Sequence, residues 1–159
     1  MIVVSDTSPL SNLLIIGRLD LLRSIFGTVL IPSAVAAELK VIESHRRLLL
    51  AQDWISTVEI SDRQLFDTLR QTLDRGEAEA ITLSIELRAD FLLIDELAGR
   101  IEARDRGIRL IGVAGILVEA KLRGLIDRVK PEIEKLLLEA RFHLSPQLVS
   151  EVLESVDEK

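Results

Sequence analysis

Two apolar runs in this chain stop abruptly at acid. Ile2-Val3-Val4-Ser5 ends at Asp6, and Leu92-Leu93-Ile94 ends at the adjacent pair Asp95-Glu96. Solubility alone is a poor reason for carboxylates at the ends of core strands. Hard oxygen donors of this kind suit Mg²⁺ or Mn²⁺, which retain water and complete their coordination with phosphate oxygens. The chemistry in view is phosphodiester hydrolysis, with a metal-activated water attacking phosphorus and the ion, alone or with a second one, stabilising the leaving oxygen. Two more acids join on weaker grounds. Glu38 lies beside the apolar stripe Val35, Leu39 and Ile42 of a helix that follows a strand. It either joins the site, pairs with a nearby Arg or Lys, or escapes to solvent, since an unpaired buried carboxylate is costly. Glu77 opens Glu77-Ala78-Glu79-Ala80-Ile81 in the first turn of another helix. It either faces the same crevice or merely complements the helix dipole. Glu77 and Glu79 stand roughly 200° apart around a helix, so one metal cannot face both equally; Glu77, nearer the rim, is favoured. The expected metal-holding and catalytic acids are Asp6, Glu38, Glu77 and Asp95, with Glu96 as an additional metal ligand.

Such acids need a scaffold that gathers them. An apolar run without alternation reads as a strand buried on both faces. In an open parallel sheet the ligand crevice lies beyond the carboxyl ends of the strands, where Asp6 and Asp95 are expected to meet. Further strands are expected at Thr28-Val29-Leu30-Ile31, at Trp54 to Val58 along an edge, and at Ile108 to Ile111. Helices fill the intervals. Ser8 as N-cap with Pro9 at N1 opens the first, and Gly17 closes it. Later helices start at Pro32-Ser33, at Ser61-Asp62, after the turn Asp74-Arg75-Gly76, past Glu96, and at Gly112. This alternation means an α/β fold with a largely parallel sheet. From Asp127 onward the chain is helical, with Pro131 to Ala140 and a Ser145-Pro146 start running to about Val156. The expectation is a single domain over residues 1–159, with 127–159 a helical C-terminal extension packed on it.

Composition narrows the field. Of 159 residues, 48% are hydrophobic but only 3% aromatic, so the core must be Leu, Ile, Val and Ala. The absence of cysteine excludes disulfides, thiolate metal sites and Cys nucleophiles. A net charge of −6 argues against nucleic acid as a partner, but a bound divalent ion offsets two charges locally, so charge leaves the substrate open. Asp6 interrupts the first apolar run and no basic segment precedes it, unlike a signal peptide. No apolar stretch approaches a membrane span; a cytoplasmic protein without membrane partners is expected. His45 and His143 lack Ser or Asp partners at motif spacing, and neither nucleotide-loop signature is present. Ser8, Thr7 or Asn12 could hold a ligand carboxylate or a water, and capping and packing explain them equally well. Arg100 either meets a substrate phosphate or pairs with Glu96 one turn away.

Several segments together resemble the PIN-domain family. They are Ser5-Asp6-Thr7-Ser8-Pro9-Leu10, Ile31-Pro32-Ser33-Ala34-Val35 with Glu38-Leu39, Gly76-Glu77-Ala78-Glu79-Ala80-Ile81, Leu93-Ile94-Asp95-Glu96, and Gly112-Val113-Ala114-Gly115-Ile116-Leu117. The ending Leu144-Ser145-Pro146 with Val152-Leu153 is similar to one PIN-like branch. The resemblance implies a three-layer α/β/α sandwich and a metal-dependent ribonuclease, often the toxin of a VapBC-like toxin–antitoxin pair and commonly a homodimer. RNA and an antitoxin protein are the partners so implied. It carries Asp6, Glu38 and Asp95 over as metal-site acids. The third acid falls at Glu77, with Glu79 as the competing alignment; many PIN domains have aspartate there. Glu96 stands where this branch commonly has aspartate. A PIN-like module that binds without catalysis is the rival reading, because fold kinship does not establish activity.

Overall fold

A computed structural model describes residues 1–159, the side chain of Leu50 excepted. The first half of the chain runs β1 (Val3–Ser5), α1 (Thr7–Ile15), α2 (Asp20–Phe26), β2 (Val29–Pro32), α3 (Ser33–Val41), α4 (Glu43–Leu50) and β3 (Ile55–Val58). It continues through α5 (Arg63–Leu69), α6 (Arg75–Leu87), β4 (Phe91–Leu93), α7 (Leu97–Asp105), β5 (Leu110–Ile111) and α8 (Val113–Leu122). Helices α9 (Lys130–Leu138) and α10 (Pro146–Ser155) finish the chain.

The five strands form one sheet in the order β3-β2-β1-β4-β5, and every pairing is parallel. Parallel strands need crossover helices, which cover both faces and make the strands apolar throughout. Side chains accordingly alternate between two cores. Val3, Val29, Ile31 and Leu93 point into one with α1, α2, α3, α8, α9 and α10. Val4, Leu92 and Ile94 point into the other with α5, α6 and α7. The result is an α/β/α sandwich. Among the described residues, no helix is long and apolar enough to cross a membrane.

The strand order reverses between β1 and β4, since β2 and β3 continue to one side and β5 to the other. That is the switch point at which open α/β sheets hold ligands. In register, Ser5 pairs with Leu93, and the Asp6 N–H donates to the Leu93 carbonyl at 2.9 Å. The residues that follow both strands therefore emerge side by side.

The terminal helices are tied in by charge as well as by Leu136, Leu153 and Val156. The Glu158 carboxylate accepts from the Lys121 ammonium at 2.9 Å and from the N–H groups of Val129 (2.7 Å) and Lys130 (3.0 Å) at the start of α9. Burial alone would raise this carboxyl; the Lys121 and backbone bonds outweigh it and hold it at about 2.

Two expectations shift in detail. The first helix begins at Thr7 with Asp6 at its N-cap, so Pro9 sits third in the helix rather than first. The position is tolerated because the first-turn N–H groups have no intrahelical partner to lose. Of the run Ile108 to Ile111, only Leu110 and Ile111 join the ladder.

Candidate active site

Four segments bring carboxylates to the switch point. Asp6 follows β1 and is only 4% exposed. Its carboxyl is pushed up to about 7, first by burial and then by the charges of Glu77, Asp74 and Glu38; the Thr7 backbone N–H pulls the other way. Glu77, in the first turn of α6, is 7% exposed. It too is pushed up to about 7, by burial and by the charges of Asp74, Glu96 and Glu38. Asp6, Glu38 and Glu77 thus act on one another, with Asp74 among them.

Asp74 was legible only as a turn residue, and the structure gives it more. It is the N-cap of α6, its Oδ1 accepting from the Glu77 N–H at 2.8 Å, while its own backbone N–H acts back on the Glu77 carboxylate. This reciprocal arrangement is a capping box with aspartate as the cap. Asp74-x-x-Glu77 was the available signal. The dipole-complementing role of Glu77 and its place in the acid cluster coexist.

Glu38 reaches the cluster from α3. Its side chain is exposed at the mouth, and the Thr7 hydroxyl donates to its Oε2. The start of α6 lies directly under it: a Cβ on Gly76 would come 2.7 Å from Glu38 Oε1. Glu79 goes elsewhere. Its Oε1 accepts from the Ala34 N–H at 3.2 Å, covering the open start of α3. The structure therefore separates the two glutamates, with Glu77 among the acids and Glu79 on a helix terminus.

Asp95 stands just past β4, and its Oδ1 accepts from the Val113 N–H at 3.0 Å, the first N–H of α8. A Cβ on Gly112 would come 2.7 Å from that same oxygen, so glycine is what lets α8 start there. Burial pushes the Asp95 carboxyl up to about 6, with Glu96 adding to the rise while Val113 and Arg100 oppose it. The other oxygen, Oδ2, is buried with no hydrogen-bond partner. Glu96 acts electrostatically on both Glu77 and Asp95, and so links the two parts of the cluster. Gly99 lets α7 approach the end of β4 closely, since a Cβ there would lie 2.6 Å from Ile94 Cδ1.

The remaining expected residues divide. Ser8 and Asn12 are half-buried in α1, the helix that starts at Asp6. Arg100 does not form the expected pair with Glu96. Its Nη1 donates to the Ile94 carbonyl at 2.7 Å, clamping the end of β4 beside Asp95.

Among the described residues, no three acidic or His side chains converge tightly enough to hold an ion as they stand. The donor set nevertheless fits a hard divalent cation. It consists of carboxylates, two of them buried and mutually repelling, and it includes a buried Asp95 oxygen without a partner. A family model described as a PIN domain (DUF3368) matches residues 2–158. No curated protein matches the chain.

Proposed function

Because the chain belongs to the PIN-domain family, we propose that it is a metal-dependent endoribonuclease whose centre is Asp6, Glu38, Glu77 and Asp95, with Glu96 beside them. PIN domains are generally nucleases and typically use divalent metal ions. The observation that carries the reading is the group of buried carboxylates at the β1/β4 switch point, with no cation among the described residues against Asp6 or Glu77. Buried charge without compensation is unfavourable, and folds keep it where it serves a site.

When bound, Mg²⁺ or Mn²⁺ would offset this charge, supply a water nucleophile and stabilise the leaving oxygen. Asp6, Glu77 and the free oxygen of Asp95 are the groups to hold it. Glu38, at the mouth and oriented by Thr7, would take the proton of the attacking water. Arg100 keeps the end of β4 in position, and the glycines at 76 and 112 leave room for Glu38 and Asp95. Ser8 and Asn12, on the helix that starts at Asp6, would contact the substrate strand.

The role of toxin in a toxin–antitoxin pair, a homodimeric state and a cytoplasmic site of action extend the same reading. Exposed Val41, Ile42 and Leu48 on the α3–α4 corner offer apolar surface for such a protein partner.

The test is cleavage of labelled RNA by wild type, Asp6→Asn and Asp95→Asn, with Mn²⁺ and with EDTA. Metal-dependent cleavage lost in both variants supports the reading. A folded wild-type protein that cuts no RNA under any metal would move the assignment to a PIN-like binding module.

A further inference from the structure

A cavity of about 690 Å³ opens beside the acids rather than among them. That volume is in the range of small-ligand sites. One end is formed by Asp95, Arg100 and Gly112, the residues that bound the candidate centre. From there it extends along the sheet past β4 and β5 toward α2, α8 and the segment joining α9 to α10.

Its lining is unusual for this chain. There are four phenylalanines in 159 residues. Three of them, Phe26, Phe91 and Phe142, line this one cavity. Away from it, the aromatic residues of the core are Phe66 and Trp54, on separate segments, and the rest is aliphatic. None of the three is fully buried, and the Phe26 and Phe91 rings stand 6.2 Å apart at 48°. Flat apolar surface is therefore concentrated on a cavity that adjoins Asp95, and it is left partly uncovered. Arg100 and Arg123 bring positive charge to the same cavity, Arg123 being shared with Glu119 on α8.

We propose that this cavity receives one unstacked nucleobase of a single-stranded RNA, the neighbour of the phosphate held at the carboxylates. Aromatic faces accept any base by stacking, and only a base free of its own helix can enter. The inference rests on the nuclease reading for the position of that phosphate; the pocket itself does not. A base paired in a duplex would have to be flipped out before it could enter, at a cost in free energy.

The experiment separates binding from cleavage. Asp6→Asn protein in Mg²⁺ is titrated with single-stranded oligoribonucleotides carrying 2-aminopurine at successive positions, and with the matching duplex. One position should change strongly in fluorescence, and the duplex should bind more weakly. Two changes in the same background attack the pocket differently. Phe26→Leu keeps apolar volume but removes a flat face. Gly115→Leu fills the cavity from α8, at a position where glycine is a poor helix former. Each should weaken single-strand binding roughly ten-fold or more, the range of base–aromatic stacking, with unchanged melting temperature. Equal affinity across the set, a duplex bound as tightly as the single strand, or no responsive position would each overturn the pocket. Wild-type cleavage in parallel tells the two readings apart. Cutting with a silent pocket leaves the nuclease standing, and Phe26-dependent binding with no cutting in any metal leaves only the pocket.

Discussion

The Thr7 hydroxyl donates to the Glu38 carboxylate, joining residues 31 positions apart. It links the first turn of α1 to α3 and holds the exposed acid over the buried ones. Thr7→Val removes the hydroxyl and keeps the shape. Cleavage should fall about ten-fold or more through loss of orientation, while stability changes by about 1 kcal/mol. Thr7→Ser should recover most of the activity. Unchanged cleavage by Thr7→Val would remove Glu38 from the mechanism or Thr7 from its support.

Gly76→Ala sets helix propensity against site geometry. Alanine favours the helix by about 0.5–1 kcal/mol, but its Cβ would come 2.7 Å from Glu38 Oε1. That atom ends a flexible side chain, so Glu38 swings away and the backbone stays. The expected protein melts at or slightly above wild type and cleaves about ten- to hundred-fold more slowly. Full activity together with higher stability would show that Glu38 is not needed where it stands.

The raised carboxyls set a pH dependence for the metal-free protein. Asp6 and Glu77 reach about 7 and Asp95 about 6, from ordinary values of 3.8, 4.5 and 3.8. A raised carboxyl holds its proton more tightly folded than unfolded. Its contribution is fully present below about pH 4 and is lost as the pH rises toward 7. Asp6→Asn should therefore be more stable than wild type at pH 8, by on the order of 4 kcal/mol, and closely similar at pH 4. Denaturation curves at both values, in EDTA, give the difference; a gap independent of pH would contradict the assignment of the strain to Asp6.

Metal should reverse that slope. Mn²⁺ competes with protons for the same oxygens, so it should raise the melting temperature of wild type strongly at pH 8 and weakly at pH 5. In Asp6→Asn the rise should shrink at both. An equal rise in both proteins would put the ion somewhere else.

Glu158 titrates in the opposite sense. Its carboxyl is held at about 2, against an ordinary 4.5, so its contribution is present above about pH 4.5 and disappears as the pH falls through 2. Glu158→Gln should cost about 2–3 kcal/mol at neutral pH, the scale of a hydrogen bond to a charged group. The cost should be much smaller near pH 2. An equal cost at both would mean that shape, not charge, holds the C-terminal helix.

The parallel sheet could be read from the sequence because its strands carry a plain signal. Runs such as Leu92-Leu93-Ile94 are apolar on both faces, and that follows from burial between two helix layers. Asp6 and Asp95 stood out because each ends such a run. Glu77 against Glu79 could not be decided from spacing, since the decision belongs to Ala34, whose N–H takes Glu79 from 45 residues away. Asp74 was hidden by its neighbours, as Asp-Arg-Gly reads equally as a turn and as a cap followed by a helix. The first helix starts early for a similar reason. The Leu93 carbonyl, on a neighbouring strand, takes the Asp6 N–H, and the helix starts at the next residue. Arg100 showed a helix-surface pairing that tertiary structure replaced with the Ile94 carbonyl. Local patterns report local partners, and each of these residues is committed to a distant one.

The reversal of strand order between β1 and β4 also governs timing. Its flanking acids come from residues 6, 38, 77 and 95, and Asp95 is fixed only when the Val113 N–H arrives. No contiguous fragment shorter than about two-thirds of the chain can hold them all. A ribosome would have to release both wings of the sheet before the centre existed, and pairings this remote form slowly. Whatever reaction it runs, the protein would be inert through most of its own synthesis and would acquire function in a single late step.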